Sequence, residues 1–100
     1  MGQRAVRVAI LDTGVDVAHS AIQRAFVESR ILGCRGFPPS LDSQRDGHGH
    51  GTYVATVFFR TAPNAVIFIA RVIDDEGNLN SEDDFHAAVQ VIRASPFQKY

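Results

Sequence analysis

The sequence predicts an α/β domain, with a mainly parallel sheet flanked by helices. Three observations carry this. Strand-like and helix-like segments alternate along the chain. The run AVIFIARVI, Ala65 to Ile73, is apolar almost throughout, as a strand covered by helices on both sides must be. Ser81 to Arg93 has the end signals and periodicity of an amphipathic helix.

The elements follow in order. Val6 to Leu11 is β-branched and apolar except for Arg7, so it reads as a buried strand that gives way at Asp12 and Gly14. Ala18 to Phe26 has helical spacing, with Ile22 and Phe26 one turn apart. Arg30 to Phe37 reads as a second strand, punctuated by Gly33 and Gly36. Phe37 to Gly51 is a loop that holds FPPS, several polar residues and GHGHG. Gly51 to Arg60 is apolar on nearly every face and reads as a buried helix starting just after the glycines. Ala62, Pro63 and Asn64 then make a turn into the central apolar strand, and Asp74 to Asn78 turns around Gly77. Ser81 caps the last helix, and Asp84 three residues on completes a capping box. Glu82, Asp83 and Asp84 suit the positive helix start and Arg93 the negative end. Phe85, Ala88, Val89 and Ile92 form one apolar stripe, and Pro96 stops the helix.

Composition bounds the function. With 100 residues the chain has room for one small domain. Helices on both faces need several strands to cover, and the chain stops at Tyr100 where a further parallel strand would begin. Residues 1–100 therefore read as the front part of a larger domain. No stretch approaches the roughly 20 apolar residues of a membrane span. The N-terminus lacks the pattern of a secretory signal, which leaves a cytoplasmic default. A net charge of −1, with scattered basic residues, argues against a nucleic-acid groove. Cys34 has no partner for an internal disulfide and reads as a small buried hydrophobe.

Two features could carry chemistry. Asp12 ends a strand, where the reactive residues of open α/β sheets collect, although an aspartate there can simply cap the turn at Gly14. In DGHGHGT, Asp46 to Thr52, glycines leave the imidazole of His50 unshielded. A helix starting there favours a neutral ring, which suits a general base. His48 and His50 could instead pair on a metal, but His19 and His86 are remote and no third ligand stands at a familiar spacing. Neither a metal nor a cofactor is expected.

VAILDTGVD, followed further on by GHGTYVA and APNAVIFIARVIDDEGN, resembles the subtilisin-like serine peptidases, the subtilases. The resemblance covers most of the chain, with three motifs in the family's order. It implies the N-terminal portion of a subtilisin-like three-layer domain. It implies an endopeptidase that acts on peptides or proteins by acyl transfer, with Asp12 and His50 as two members of its catalytic triad. The order Asp, then His, is that of the subtilisin triad. Tyr53 stands where the family has a second histidine, and Thr56 where it has a glycine. The family's Gly-Thr-Ser nucleophile motif is absent: none of the six serines follows a Gly-x pair. The resemblance also implies a C-terminal half of the domain as a candidate partner, beside a peptide or protein substrate.

Two rival readings stand beside this one. A truncated or degenerate subtilase unit could act as a binding module without activity. A retroviral-type aspartic peptidase also carries apolar-Asp-Thr-Gly-x-Asp, but its fold is nearly all β and it leaves GHGHGT unexplained.

Overall fold

The computed structural model describes residues 6–94. Three strands and three helices alternate: β1 (Val6–Asp12), α1 (Ser20–Val27), β2 (Ile31–Gly36), α2 (His50–Thr61), β3 (Ala65–Arg71) and α3 (Glu82–Ala94). The strands form one parallel sheet in the order β1-β3-β2. The strand richest in apolar residues thus lies in the middle, where both of its faces are covered. β1 and β2 form the edges of the described sheet, as expected for three strands.

The sheet sits between two helical layers. On one face Ile10, Ile31, Ile67 and Ile69 pack with Ile22 and Ala25 of α1 and Ala55 of α2. On the other, Ala70 and Val72 pack with Ala88 and Ile92 of α3. Alternation along β3 divides the two cores, with Ile67 and Ile69 on one side and Phe68 and Ala70 on the other. The single helix α3 covers its face less completely. Ala88 and Ile92 are buried, but Phe85, from the same predicted stripe, remains 39% exposed.

Local chemistry explains most element boundaries. His19 caps α1, its Nδ1 accepting the backbone N–H of Ala21 at 3.1 Å. At α3 the Ser81 hydroxyl accepts the Asp84 N–H at 3.1 Å. The Asp84 carboxylate returns to the Ser81 hydroxyl and the Asn80 amide, and not to the Ser81 backbone, so the predicted box closes through side chains. Arg30 closes the other end of α2: its guanidinium donates to the carbonyls of Phe59, Ala62 and Ala65 and lies over the Phe59 ring. Pro96 lies outside the described residues.

Two expectations are corrected. α2 begins at His50, one residue before the predicted start, because Gly49 takes the left-handed backbone (φ 95°) that turns the chain into the helix. This helix is also not buried all round. Gly51, Thr52 and Ala55 are buried, while Tyr53 is 65% exposed.

The register sets the level of the strand ends. Asp12 of β1 and Gly36 of β2 both lie opposite Arg71 of β3, so the carboxyl ends of all three strands finish together. The loops that follow are held by Arg71 itself, a buried guanidinium. It donates to the carbonyls of Asp42, Arg45 and Ile73 and pairs with Asp75 at 2.7 Å.

Ile67, fully buried at the centre of the sheet, is the position where a cavity would cost most. Ile67→Ala is expected to destabilise the chain by about 2–5 kcal/mol, read as a lower urea midpoint with an unchanged slope.

Candidate functional site

Asp12 is the last residue of β1, and its backbone carbonyl still accepts from Val72 and Ile73 beyond the end of β3. The side chain is therefore carried on a backbone fixed by the sheet. One carboxylate oxygen accepts the Thr13 N–H at 2.8 Å, and the other lies 2.8 Å from Nδ1 of His50. The Asp12 side chain is 14% exposed and that of His50 58% exposed. The carboxylate is thus sheltered while the imidazole faces outward.

In a neutral ring the contact sets the tautomer. An ionised carboxylate only accepts, so Nδ1 carries the ring proton and Nε2 holds the lone pair. Nε2 has no hydrogen-bond partner among the described residues. The geometry is that of a base oriented by a carboxylate, with its basic nitrogen free to take a proton.

The two residues lie 38 positions apart, and a second network joins the segments that carry them. Thr13 follows Asp12, and its hydroxyl accepts the Gly51 N–H at 2.9 Å. Thr52 lies two residues after His50, and its hydroxyl accepts the Asp16 N–H at 2.9 Å. Each threonine thus receives an amide from the other's segment. Both hydroxyls then donate to one carboxylate, that of Asp46, at 2.7 Å from Thr13 and 2.5 Å from Thr52. Asp46 also accepts the N–H groups of Gly49 and Thr52, two of the unpaired amides at the start of α2. Partial burial pushes the Asp46 carboxyl up, but these hydrogen bonds together outweigh it, the Thr52 hydroxyl foremost, and hold it below the ordinary value.

Gly51 makes the close approach possible. A Cβ there would overlap the carbonyl oxygen of Gly14, so any other residue would push α2 away from the turn after β1. The glycine after His50 is in this sense a packing requirement, a second role beside baring the imidazole.

The sequence pointed to Asp12 and His50, and the structure brings them into contact. It did not single out Asp46, although this residue opens the motif that contains His50. Its visible signal was a carboxylate placed just before a helix start, where it can accept unpaired amides. His48 lies edge-on to His50 with ring centroids 6.4 Å apart, and no cluster of three or more metal-binding side chains occurs among the described residues. Cys34 is half-buried against the α1–α2 core, and burial pushes its thiol up to about 11, so it stays protonated at neutral pH. Thr56 is accommodated: its hydroxyl donates to the Tyr53 carbonyl, and its side chain lines an open cleft between α1 and α2. No described helix is long and apolar enough to cross a membrane.

The described residues thus form a parallel α/β sheet with a carboxylate at the end of its first strand held against an imidazole at a helix start. The comparison with known families is specific: the subtilase family model matches residues 3–97, and the chain belongs to that family. It is 33% identical over 88 residues to the intracellular serine protease of Paenibacillus polymyxa, a match covering 75% of this chain and 26% of that protein. It is 32% identical over 82 residues to the alkaline protease of Alkalihalobacillus alcalophilus, covering 73% of this chain and 20% of that protein. With subtilisin DY of Bacillus licheniformis the identity is 28% over 82 residues, covering 73% and 27%. The matched region thus spans between a fifth and just over a quarter of these curated relatives.

The lowered value of Asp46 has a stability consequence. A carboxyl held below its unfolded value stabilises the fold above that value, and this contribution disappears as pH falls through the folded value. The stability difference between wild type and Asp46→Asn is expected to be full at neutral pH. It should shrink as pH drops from about 3.8 toward the lower folded value. Urea midpoints of both proteins across that range measure it; a difference that stays constant would mean that the carboxylate charge does not contribute.

Proposed function

We propose that this chain is the Asp/His portion of a serine endopeptidase, in which His50 relays the proton and Asp12 orients its ring. The observation that carries the reading is the 2.8 Å contact between Asp12 and Nδ1 of His50, in a chain belonging to a serine peptidase family. None of the six serines here follows a Gly-x pair, and in this reading the nucleophilic serine comes from sequence outside these 100 residues. Nε2 of His50 takes the proton from its hydroxyl as the oxygen attacks the scissile carbonyl carbon of a peptide or protein substrate. Asp12 holds the ring in the tautomer that makes this possible and stabilises the imidazolium that forms. The protonated Nε2 then gives its proton to the departing amine as the C–N bond breaks. Water repeats the sequence on the acyl-enzyme and returns the serine.

The partner in this reading is the remainder of the domain. β1 is an edge strand of the described sheet, and most of its residues are only partly buried. Further strands added at that edge would bury it and bring the serine to the level of His50.

Tyr53 and Thr56, in place of the family's histidine and glycine, favour a second reading, that of a binding unit without catalysis. Labelling with a fluorophosphonate probe separates the two. The 100-residue chain should not label, whereas a product extended through a Gly-Thr-Ser segment should label and cleave peptides. Subtilisin itself sets the scale for the losses: without its histidine kcat falls about 10⁶-fold, and without its aspartate about 10⁴-fold. His50→Ala and Asp12→Ala in the extended product are expected to fall in that order. An extended product that neither labels nor cleaves would leave the binding unit as the better account.

A further inference from the structure

We propose that Asp46 is the positioning residue of the Asp12–His50 pair, its carboxylate fixing the separation between the strand end that carries one and the helix start that carries the other. The proposal builds on the proton-relay reading and assigns to that site a residue outside the triad.

Asp46 makes hydrogen bonds to Thr13, Gly49 and Thr52 and none to Asp12 or His50. It therefore acts through the backbone on either side of the pair. Thr13 is covalently next to Asp12, and Gly49 and Thr52 bracket His50 in sequence. A hydroxyl has one proton to donate, and both threonines direct theirs to Asp46. In doing so each orients its oxygen lone pairs toward the opposite segment, where Gly51 and Asp16 supply the amides. The carboxylate thus sets the direction of both cross-links between the segments.

Chemistry restricts what can stand there. Each oxygen of Asp46 accepts two bonds: Oδ1 from the Thr13 hydroxyl and Gly49, Oδ2 from the Thr52 hydroxyl and amide. Only an ionised carboxylate offers four acceptor positions in this arrangement. An asparagine would turn its NH₂ group toward two donors, and a glutamate would carry the carboxylate one methylene too far. The imidazole has no comparable hold of its own, because its side chain is more than half exposed and Asp12 is its sole hydrogen-bond partner among the described residues. Misplacement of a catalytic group by about 1 Å can cost on the order of 10²-fold, so loosening this link should be felt at the ring.

The test uses the 100-residue chain and then the extended product. In ¹⁵N-edited NMR the wild type should show a slowly exchanging, low-field Nδ1–H resonance of His50, absent in Asp12→Ala. Asp46→Asn should lose or broaden that resonance while the backbone spectrum of the sheet persists. Thr52→Val should weaken it and Thr52→Ser retain it, since the serine keeps the hydroxyl; this pair also decides the matter if Asp46→Asn fails to fold. In the extended product Asp46→Asn should lower kcat about 10²-fold with little change in KM. A wild-type-like Nδ1–H signal in Asp46→Asn and in Thr52→Val would overturn the positioning role and leave the proton relay standing. An unreactive extended wild type would overturn the relay, while the NMR series would still decide whether Asp46 orients the ring.

Discussion

The Asp46 carboxylate, with the two threonines that donate to it, is the constraint on which the site depends. Four donors converge on it, two of them helix-start amides and two of them hydroxyls from separate segments. Hydrogen bonds to a charged acceptor contribute roughly 1.5–3 kcal/mol each when buried, less at a partly exposed carboxylate such as this one, and are not additive. The reciprocal pattern also explains why a threonine follows Asp12 and another follows His50–Gly51. Each provides an acceptor for the other segment and a donor for the shared carboxylate. The contact of backbone on backbone at Gly14 and Gly51 is the steric counterpart of the same device.

The constraint is itself anchored to the sheet. Arg71 ends the central strand, and its buried guanidinium ties down the carbonyls of Asp42 and Arg45, just before Asp46. Asp75, its ionic partner, also accepts the N–H of Gly47, just after Asp46. The loop that delivers Asp46 is thus fastened on both sides from one residue of β3. Because Asp12 lies opposite Arg71 in the register, the same strand position governs both the carboxylate that orients the imidazole and the loop that supports it. A charge buried this way costs desolvation, offset by the three carbonyls and the Asp75 carboxylate that it meets.

The two faces of the sheet divide the work unequally. The α1–α2 side carries the larger core and, at the start of α2, His50. The α3 side is a smaller core around Ala88 and Ile92 that steadies the back of the same strands. The amphipathic period of α3 was legible, but how much of its stripe is covered was not, since Phe85 depends on what else lies on that face. The retroviral-type aspartic reading required a nearly all-β fold; the three helices and the engagement of Asp12 with an imidazole describe a different architecture.

Much of this was determined by the sequence alone. The three apolar runs, the glycine breaks, the Ser81 cap and the charged ends of the last helix are read within a few residues of one another, and local physics acts at that range. The motif order likewise marked Asp12 and His50. The tertiary structure decided the rest: that the last strand inserts between the first two, that the three strand ends finish level, and that Asp12 and His50 meet. It also assigned Asp46 and Arg71 their parts. The strand order, the level strand ends and the Asp12–His50 contact depend on packing between segments dozens of residues apart, where partners follow from register and close backbone approach; Asp46 and Arg71 add such distant contacts to bonds with residues a few positions away.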